Sequence, residues 1–352
     1  VCVVVTARAS HARVKTVLDA LRAGGKVEVQ TIAAGSMVLP KYGRAHADET
    51  WTELVWNVIE GATHETMASE TGLLTMRLAE MFARKNPDLV VTIADRHETL
   101  ATAIAASYQN IPLAHVQGGE NSGSVDDKVR NAVSMLAGLH FPATRLAAKR
   151  LRSMGVRGPV HLTGCPSVDL AEQAMHAPWC ESDGPGPVLV LFHAVTTSNR
   201  SLSDLAALQE AVESFEQRPV LWLWPGEDAG SGDLERELRR WHPAHVTFRR
   251  HVPVDEFLVL LRDTPCLMGN SSVGIREASY LGTPVVNVGD RQHGRERAGN
   301  VVDVAGDAQA IIDAYRFQLG QTNRYRCSTL YGDGQSGPRI ARLLEDFVCS
   351  GA

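Results

Sequence analysis

Residues 266–297, CLMGNSSVGIREASYLGTPVVNVGDRQHGRER, leave this chain few architectures to choose from. Cys266-Leu267-Met268 reads as a short apolar strand, which Gly269-Asn270-Ser271-Ser272 interrupts with small polar residues. From Ile275 to Leu281 the apolar positions recur at helical spacing, and Gly282-Thr283-Pro284 stops the run. Val285, Val286 and Val288 follow as the next strand, apolar on both faces as in a parallel sheet covered by helices. Amides at the start of such a helix have no intrahelical partner, so the turn at Ser271 and Ser272 is a natural seat for a phosphate. Glu277, six residues beyond Ser271, lies close to two turns along. From there it reaches hydroxyls of the sugar whose phosphates sit at the serines. The plainer alternative is that Asn270, Ser271 and Ser272 only cap a structural helix.

The same alternation of strand and helix runs through the whole chain. Val1–Val5, 27–33, 89–93, 111–116 and 139–141 read as strands of a first unit, and 188–192, 220–224 and 246–248 as strands of a second. A length of 352 residues suits two domains. The expected boundaries are 1–165, a Pro- and Gly-rich connector over 166–187, and 188–337, with a terminal amphipathic helix over 338–350. The fold class expected is therefore α/β, two Rossmann-like domains facing across a cleft.

Composition narrows the function. Hydrophobic residues make up 44%, charged residues 21%, and the net charge is −5, so nothing argues for a nucleic-acid surface. Six cysteines with no CxxC pair argue against a disulfide framework or a zinc-thiolate site, and no metal or cofactor is expected. Cys2, Cys165 and Cys266 read as core thiols. The opening VCVVVTAR reads as a strand in place of a leader, and no apolar run is long enough to span a bilayer. A cytoplasmic protein with no membrane partner is expected.

In open α/β sheets ligands bind beyond the carboxyl ends of the strands, which selects a set of residues. Arg8 follows the first strand, with Arg13 on the helix read over 11–21; their forked donors suit phosphate. No Gly-x-Gly-x-x-Gly follows that strand. Residues 35–50 read as a flap over the cleft. Asp95 stands past the strand 89–93, either as a site carboxylate or as the cap of a helix over 99–109. Gln117-Gly118-Gly119-Glu120 follows the next strand, and its glycines permit close backbone approach to a ligand. Asp126 and Arg130, four apart, form either an i,i+4 ion pair or a pair aimed at sugar and phosphate. His193, just past the strand 188–192, is placed to exchange a proton with a leaving group or else is structural.

Three segments carry a resemblance. DRHETLATAIAASYQNIPLAHVQGGENSGSVDDKVRNAV, LFHAVTT and GNSSVGIREASYLGTPVVNVGDRQHGRERAGNV resemble the UDP-N-acetylglucosamine 2-epimerase family, above all its hydrolysing branch. The resemblance runs from Val1 to about Arg342. It implies the glycosyltransferase-B fold, a homodimer, a nucleotide-sugar substrate and a terminal helix crossing back to the first domain. It also implies abstraction of the C2 proton, expulsion of UDP from C1 and hydration of a glycal. On that basis Asp95 and Asp126 are the acid/base carboxylates and His193 lies near the leaving phosphate. Arg8, Arg130, Ser271, Ser272 and Arg291 take phosphates, and Glu277 the ribose.

The chain departs from the family pattern on the sugar side. Gln117 stands where the family has a catalytic Glu, and an amide cannot accept a proton as a base. Ile93-Ala94 replaces His-Gly, Ser10-His11 replaces Asp-Tyr, Arg13 replaces a Lys and Asn131 a His. Glu120 is the remaining source of a carboxylate. An alternative chemistry at the anomeric carbon, making or breaking a C–O or C–N glycosidic bond in specialised (antibiotic) metabolism, follows from those departures.

Overall fold

The computed structural model describes residues 1–39, 50–61, 63–123, 125–178, 186–196, 200–215, 218–226, 228–321 and 324–351, without the side chain of Arg8. Most of the segment read as a flap, 40–49, lies outside the described residues.

Two six-stranded parallel sheets form two lobes. The first contains β1 (Cys2–Val5), β2 (Gln30–Ala33), β3 (Glu53–Leu54), β4 (Val90–Ile93), β5 (Leu113–Val116) and β6 (Leu139–Phe141), in the order β3-β2-β1-β4-β5-β6. The second contains β7 (Val188–Leu191), β8 (Val220–Leu223), β9 (Val246–Arg249), β10 (Leu267–Gly269), β11 (Val285–Val288) and β12 (Val301–Val304), in the order β12-β11-β10-β7-β8-β9. Counted from its own first strand, each sheet has the same doubly wound order, and each reverses beside that strand, at β1/β4 and at β7/β10. Val3, Val5, Val91 and Val116 are buried, as expected of strands covered on both faces. Trp222 is fully buried in the second lobe's core and meets Trp241 edge-on at 5.2 Å, so it packs and stacks on no base.

The helices of the first lobe are α1 (Arg8–Ala12), α2 (Lys15–Gly24), α3 (His64–Lys85), α4 (His97–Tyr108), α5 (Asp126–Leu136) and α6 (Arg145–Ser153). Those after them are α7 (Pro166–His176), α8 (Ser201–Glu213), α9 (Ser231–Arg240), α10 (Val254–Asp263), α11 (Glu277–Leu281), α12 (Ala308–Leu319) and α13 (Ser336–Cys349). Three differ from the sequence reading for local reasons. The helix expected over 11–21 is two, broken at Arg13-Val14, and the break lets Arg13 reach the other lobe. The apolar spacing predicts a helix over 71–82, and α3 starts seven residues before that because Thr63 and Thr66 form a reciprocal cap. The stretch read as a connector opens with the eleven-residue α7: Pro166 occupies its first turn, where proline starts a helix, and Val168, Leu170, Ala171 and Ala174 give it a buried face. Residues 179–185 of that stretch lie outside the described residues.

The chain ends on the first lobe. Ile340, Ala341 and Leu344 of α13 pack with Val1, Val3, Val14 and Val17. Asp169 on α7 fixes the start of α13, accepting the amides of Ser336 at 2.9 Å and Gly337 at 2.6 Å and the Thr16 hydroxyl at 3.1 Å.

Candidate active site

Both switch points open onto one cleft. On the second lobe, Asn270 straps β7 to β10. Its Oδ1 accepts the His193 amide and its Nδ2 donates to the His193 carbonyl, each at 2.8 Å. The Asn270 carbonyl in turn accepts from Arg291 at 3.2 Å and Gln292 at 2.9 Å. Asn270 is thus a strap between strands and not a helix cap. The expected helix beginning at the serines is also corrected. Ser272–Gly274 is a single 3₁₀ turn, Ile275 and Arg276 break the run, and α11 begins only at Glu277. The buried Ser279 and Ala278 hold the second piece, while the break turns Arg276 inward. Gly269 makes the approach possible, because at φ 128 a Cβ there would lie 2.1 Å from the Leu191 carbonyl.

A cavity of about 370 Å³ lies between the lobes. Arg13, His193, Ser271, Ser272 and Glu277 line its polar part, and Leu223, Val252, Pro253 and Phe257 are among its apolar residues. Arg13 crosses the cleft to donate to Ser272 Oγ at 3.3 Å. Burial and the neighbouring Arg276 lower Arg13 to about 10, so it remains a cation at neutral pH. Arg8 starts α1 beside this cavity's first-lobe wall; its side chain is outside the description.

Beyond the serines the first lobe supplies carboxylates, and arginines hold them. Ala94 and Gln117, both non-glycine residues at positive φ (68° and 67°), turn the chain out of β4 and β5. Backbone of that kind costs of order 1 kcal/mol and persists where the surroundings enforce it. Asp95 accepts from Arg130, which is 1% exposed, and lies 3.5 Å from Arg295. Burial alone would raise Asp95, but Arg130, Arg295 and Arg13 outweigh it and hold the carboxyl far below its ordinary range. Asp95 does not cap α4. Arg96 stands at that position, gripped by Glu98 at 3.1 and 3.2 Å and by Asp228 of the other lobe at 2.7 Å.

Glu120 is 6% exposed. Its Oε2 accepts from Arg295 Nε at 2.7 Å and faces Arg276 at 3.5 Å, while its Oε1 has no hydrogen-bond partner. Burial pushes Glu120 up, and Arg295, Arg276 and Arg130 more than reverse the push, so it is ionised. Gln117 is pinned, its Nε2 donating to Cys165 Sγ at 2.6 Å and its Oε1 facing Arg276 at 3.4 Å. Gly118 and Gly119 also serve packing. A Cβ on either would strike Ser134 and His115, or the Ala147 carbonyl. Arg130 pairs at i,i+3 with Asp127, which also accepts from Ser122 and Gly123. Asp126 begins α5 at intermediate exposure and acts electrostatically on Arg96.

His193 accepts from the Gly226 amide at Nδ1, 3.4 Å away, which leaves its proton on Nε2. Burial, then Arg291 and Arg96, lower it to about 4, so the ring is neutral at pH 7. His115, fully buried, donates Nε2–H to the Ala94 carbonyl at 2.8 Å and is likewise lowered to about 4, chiefly by burial. The unfolded chain therefore binds protons that the folded chain refuses, and stability falls as pH drops below about 6.5. We predict a loss of about 2 kcal/mol between pH 7 and pH 5 from His115 alone. Urea unfolding at the two pH values measures it, and His115→Gln should flatten the drop; an unchanged slope would refute the assignment.

The site thus brings together Asp95, Gln117, Glu120, Arg130, Arg13, Ser271 and Ser272, with Glu277, His193 and Arg291 along the second lobe. The reading from sequence missed Arg276, Arg295, Asp127 and Asp228. Arg276 and Arg295 stood inside the stretch 266–297, where charge beside a helix passes for a solvated face. Among the described residues no helix is long and apolar enough to cross a membrane, and no cluster of His, Cys, Asp or Glu could hold a metal ion.

The family model for UDP-N-acetylglucosamine 2-epimerase matches residues 19–345. The UDP-N,N'-diacetylbacillosamine 2-epimerase (hydrolyzing) of Legionella pneumophila is 32% identical over 96% of this chain and 93% of its own. The UDP-N-acetylglucosamine 2-epimerase of Neisseria meningitidis is 27% identical over 96% of this chain and 92% of its own. The solved structure of the Methanocaldococcus jannaschii UDP-GlcNAc 2-epimerase with UDP-GlcNAc and UDP superposes with a TM-score of 0.81, at 17% identity, over 97% of this chain and 98% of that one. Its likeness bears on the fold, two Rossmann-like domains about a cleft. On the family match across nearly the whole chain, this protein is an enzyme of the UDP-N-acetylglucosamine 2-epimerase family.

Proposed function

We propose that the protein is a hydrolysing 2-epimerase, converting UDP-N-acetylglucosamine to N-acetylmannosamine and UDP. The observation that carries this reading is the placement of two ionised carboxylates, Asp95 and Glu120, on the wall facing a serine–arginine seat fit for a diphosphate. Glu120 takes the C2 proton through its unpartnered Oε1. The C2–H electron pair becomes the C1=C2 bond, and the C1–O pair leaves with UDP. Water then adds, its oxygen to C1 and a proton to C2 from the opposite face. Asp95 and Asp126 steady the cationic character at C1 and manage the returning proton. Arg13, Arg130, Arg291, Ser271 and Ser272 receive the phosphates, joined by Arg8, and Glu277 the ribose. Neutral His193 donates Nε2–H to the leaving phosphate, whose charge raises its pKa on binding. The name of the Legionella relative supports UDP-N,N'-diacetylbacillosamine as a second candidate substrate. A cytoplasmic homodimer belongs to the same reading.

A second reading, bond making or breaking at the anomeric carbon without inversion at C2, is favoured by Gln117. Its amide is fixed between Cys165 and Arg276 and offers no base. One experiment separates the two. UDP-N-acetylglucosamine is incubated with the protein in heavy water and the products are followed by NMR. The first reading predicts N-acetylmannosamine carrying deuterium at C2 together with free UDP. UDP release with no deuterium at C2 would replace it with the second.

A further inference from the structure

Arg276 sits in the break between the 3₁₀ turn and α11, 1% exposed, and its guanidinium faces both lobes. Nη2 donates to Ser272 Oγ at 2.7 Å, in the phosphate seat. Nη1 faces Gln117 Oε1 at 3.4 Å and Glu120 Oε2 at 3.5 Å, on the sugar side. An arginine that only braced its own lobe would be satisfied there. This one spans 159 positions of sequence to Gln117 and remains incomplete. Its Nε, the Glu120 Oε1 and the Glu277 Oε2 are all buried without a hydrogen-bond partner. The Nε and the Glu277 Oε2 face each other at 4.0 Å, beyond hydrogen-bond distance. Buried donors and acceptors are normally paired, so these three unpaired atoms mark where a polar ligand completes the set.

We propose that Arg276 is the positioning residue of the reaction: its rigid fork ties Glu120 and the Gln117 amide to the phosphate seat at Ser272, so that one bound nucleotide sugar presents its C2 proton and its leaving phosphate together. This rests on the reading of Glu120 as the base. Arg295 plays a different part, since it bonds Glu120 and Asp95 and does not reach the serines among its hydrogen bonds. The charged and titratable groups facing Glu120 are Arg276, Arg295, Arg130, Asp95 and Tyr331. Removing Arg276 therefore takes one of three cations from the carboxylate.

The test uses Arg276→Gln and Arg276→Lys in the full chain, with UDP-N-acetylglucosamine as substrate and UDP alone as the binding probe. For Arg276→Gln we expect kcat for C2 exchange to fall about a hundredfold, with KM and UDP affinity within about threefold of wild type. The acid limb of kcat/KM should move to higher pH, because Glu120 is then easier to protonate. Arg276→Lys should restore the limb, since it keeps the charge, but recover only part of kcat, since it loses the fork. If Arg276→Gln does not fold, the kcat deficit of Arg276→Lys at unchanged KM carries the test. Wild-type kcat in either variant, or a loss carried by KM with an unmoved acid limb, overturns the positioning role and leaves the base reading intact. Wild-type C2 exchange in Glu120→Gln overturns the base reading itself, and the positioning role with it.

Discussion

Glu120→Gln is expected to lower the rate of deuterium entry at C2 by about a hundred- to ten-thousand-fold, the usual contribution of a positioned base. The substitution keeps the shape of the side chain and removes the charge that Arg295 and Arg276 hold in place. UDP release should fall in parallel, because in an elimination the C1–O bond breaks as the C2 proton leaves. Gln117→Glu supplies the control. It returns a carboxylate beside Arg276, and should leave C2 exchange at or above the wild-type rate. Solvent-exchange NMR beside a coupled assay for UDP reads both rates. If Glu120→Gln is mild and UDP release persists, the chemistry lies at C1 and the anomeric reading takes over.

Asp95→Asn should damage both activity and stability. The carboxylate sits between Arg130 and Arg295, so an amide there leaves two buried guanidiniums short of an anion. Removing one partner of a buried ion pair costs about 3 kcal/mol or more, and activity should fall by about a hundredfold or more. The two effects separate by pH. Asp95 is held below its unfolded pKa, so its contribution to stability is fully present above about pH 4 and is lost as pH falls toward the folded value. Urea midpoints of wild type and Asp95→Asn should therefore converge on acidification below about pH 4. Midpoints that differ equally at pH 7 and pH 3 would mean that the aspartate acts through shape and not through charge.

The order of strands and helices was legible because each strand is a short apolar run and each helix a run of 3.6-residue period. From that order alone the argument about strand ends reached Asp95, Gln117, Glu120, His193 and the serines, since a doubly wound sheet exposes its functional residues at one edge. It stumbled where a local signal has two meanings. Pro166 opens a stretch whose prolines and glycines read as a connector, yet it is the first-turn residue of α7; the glycines after Gln117 read as room for a ligand, and they are also room for α5 and α6. Asn270 looked like a cap and is a strap, because its partner, His193, lies 77 positions earlier.

By itself the sequence determined two doubly wound sheets and the residues at their carboxyl edges, because periodicity and turn chemistry act over a few neighbouring positions. Only the tertiary structure decided which charges meet there. Glu120 and Arg295 are 175 positions apart, Gln117 and Arg276 159, and Arg13 and Ser272 259. An arginine beside a short helix has the same local signature whether it faces water or a buried carboxylate. What separates the two cases is the docking of one lobe on the other, which removes Arg276 and Arg295 from solvent and leaves the carboxylates as their partners.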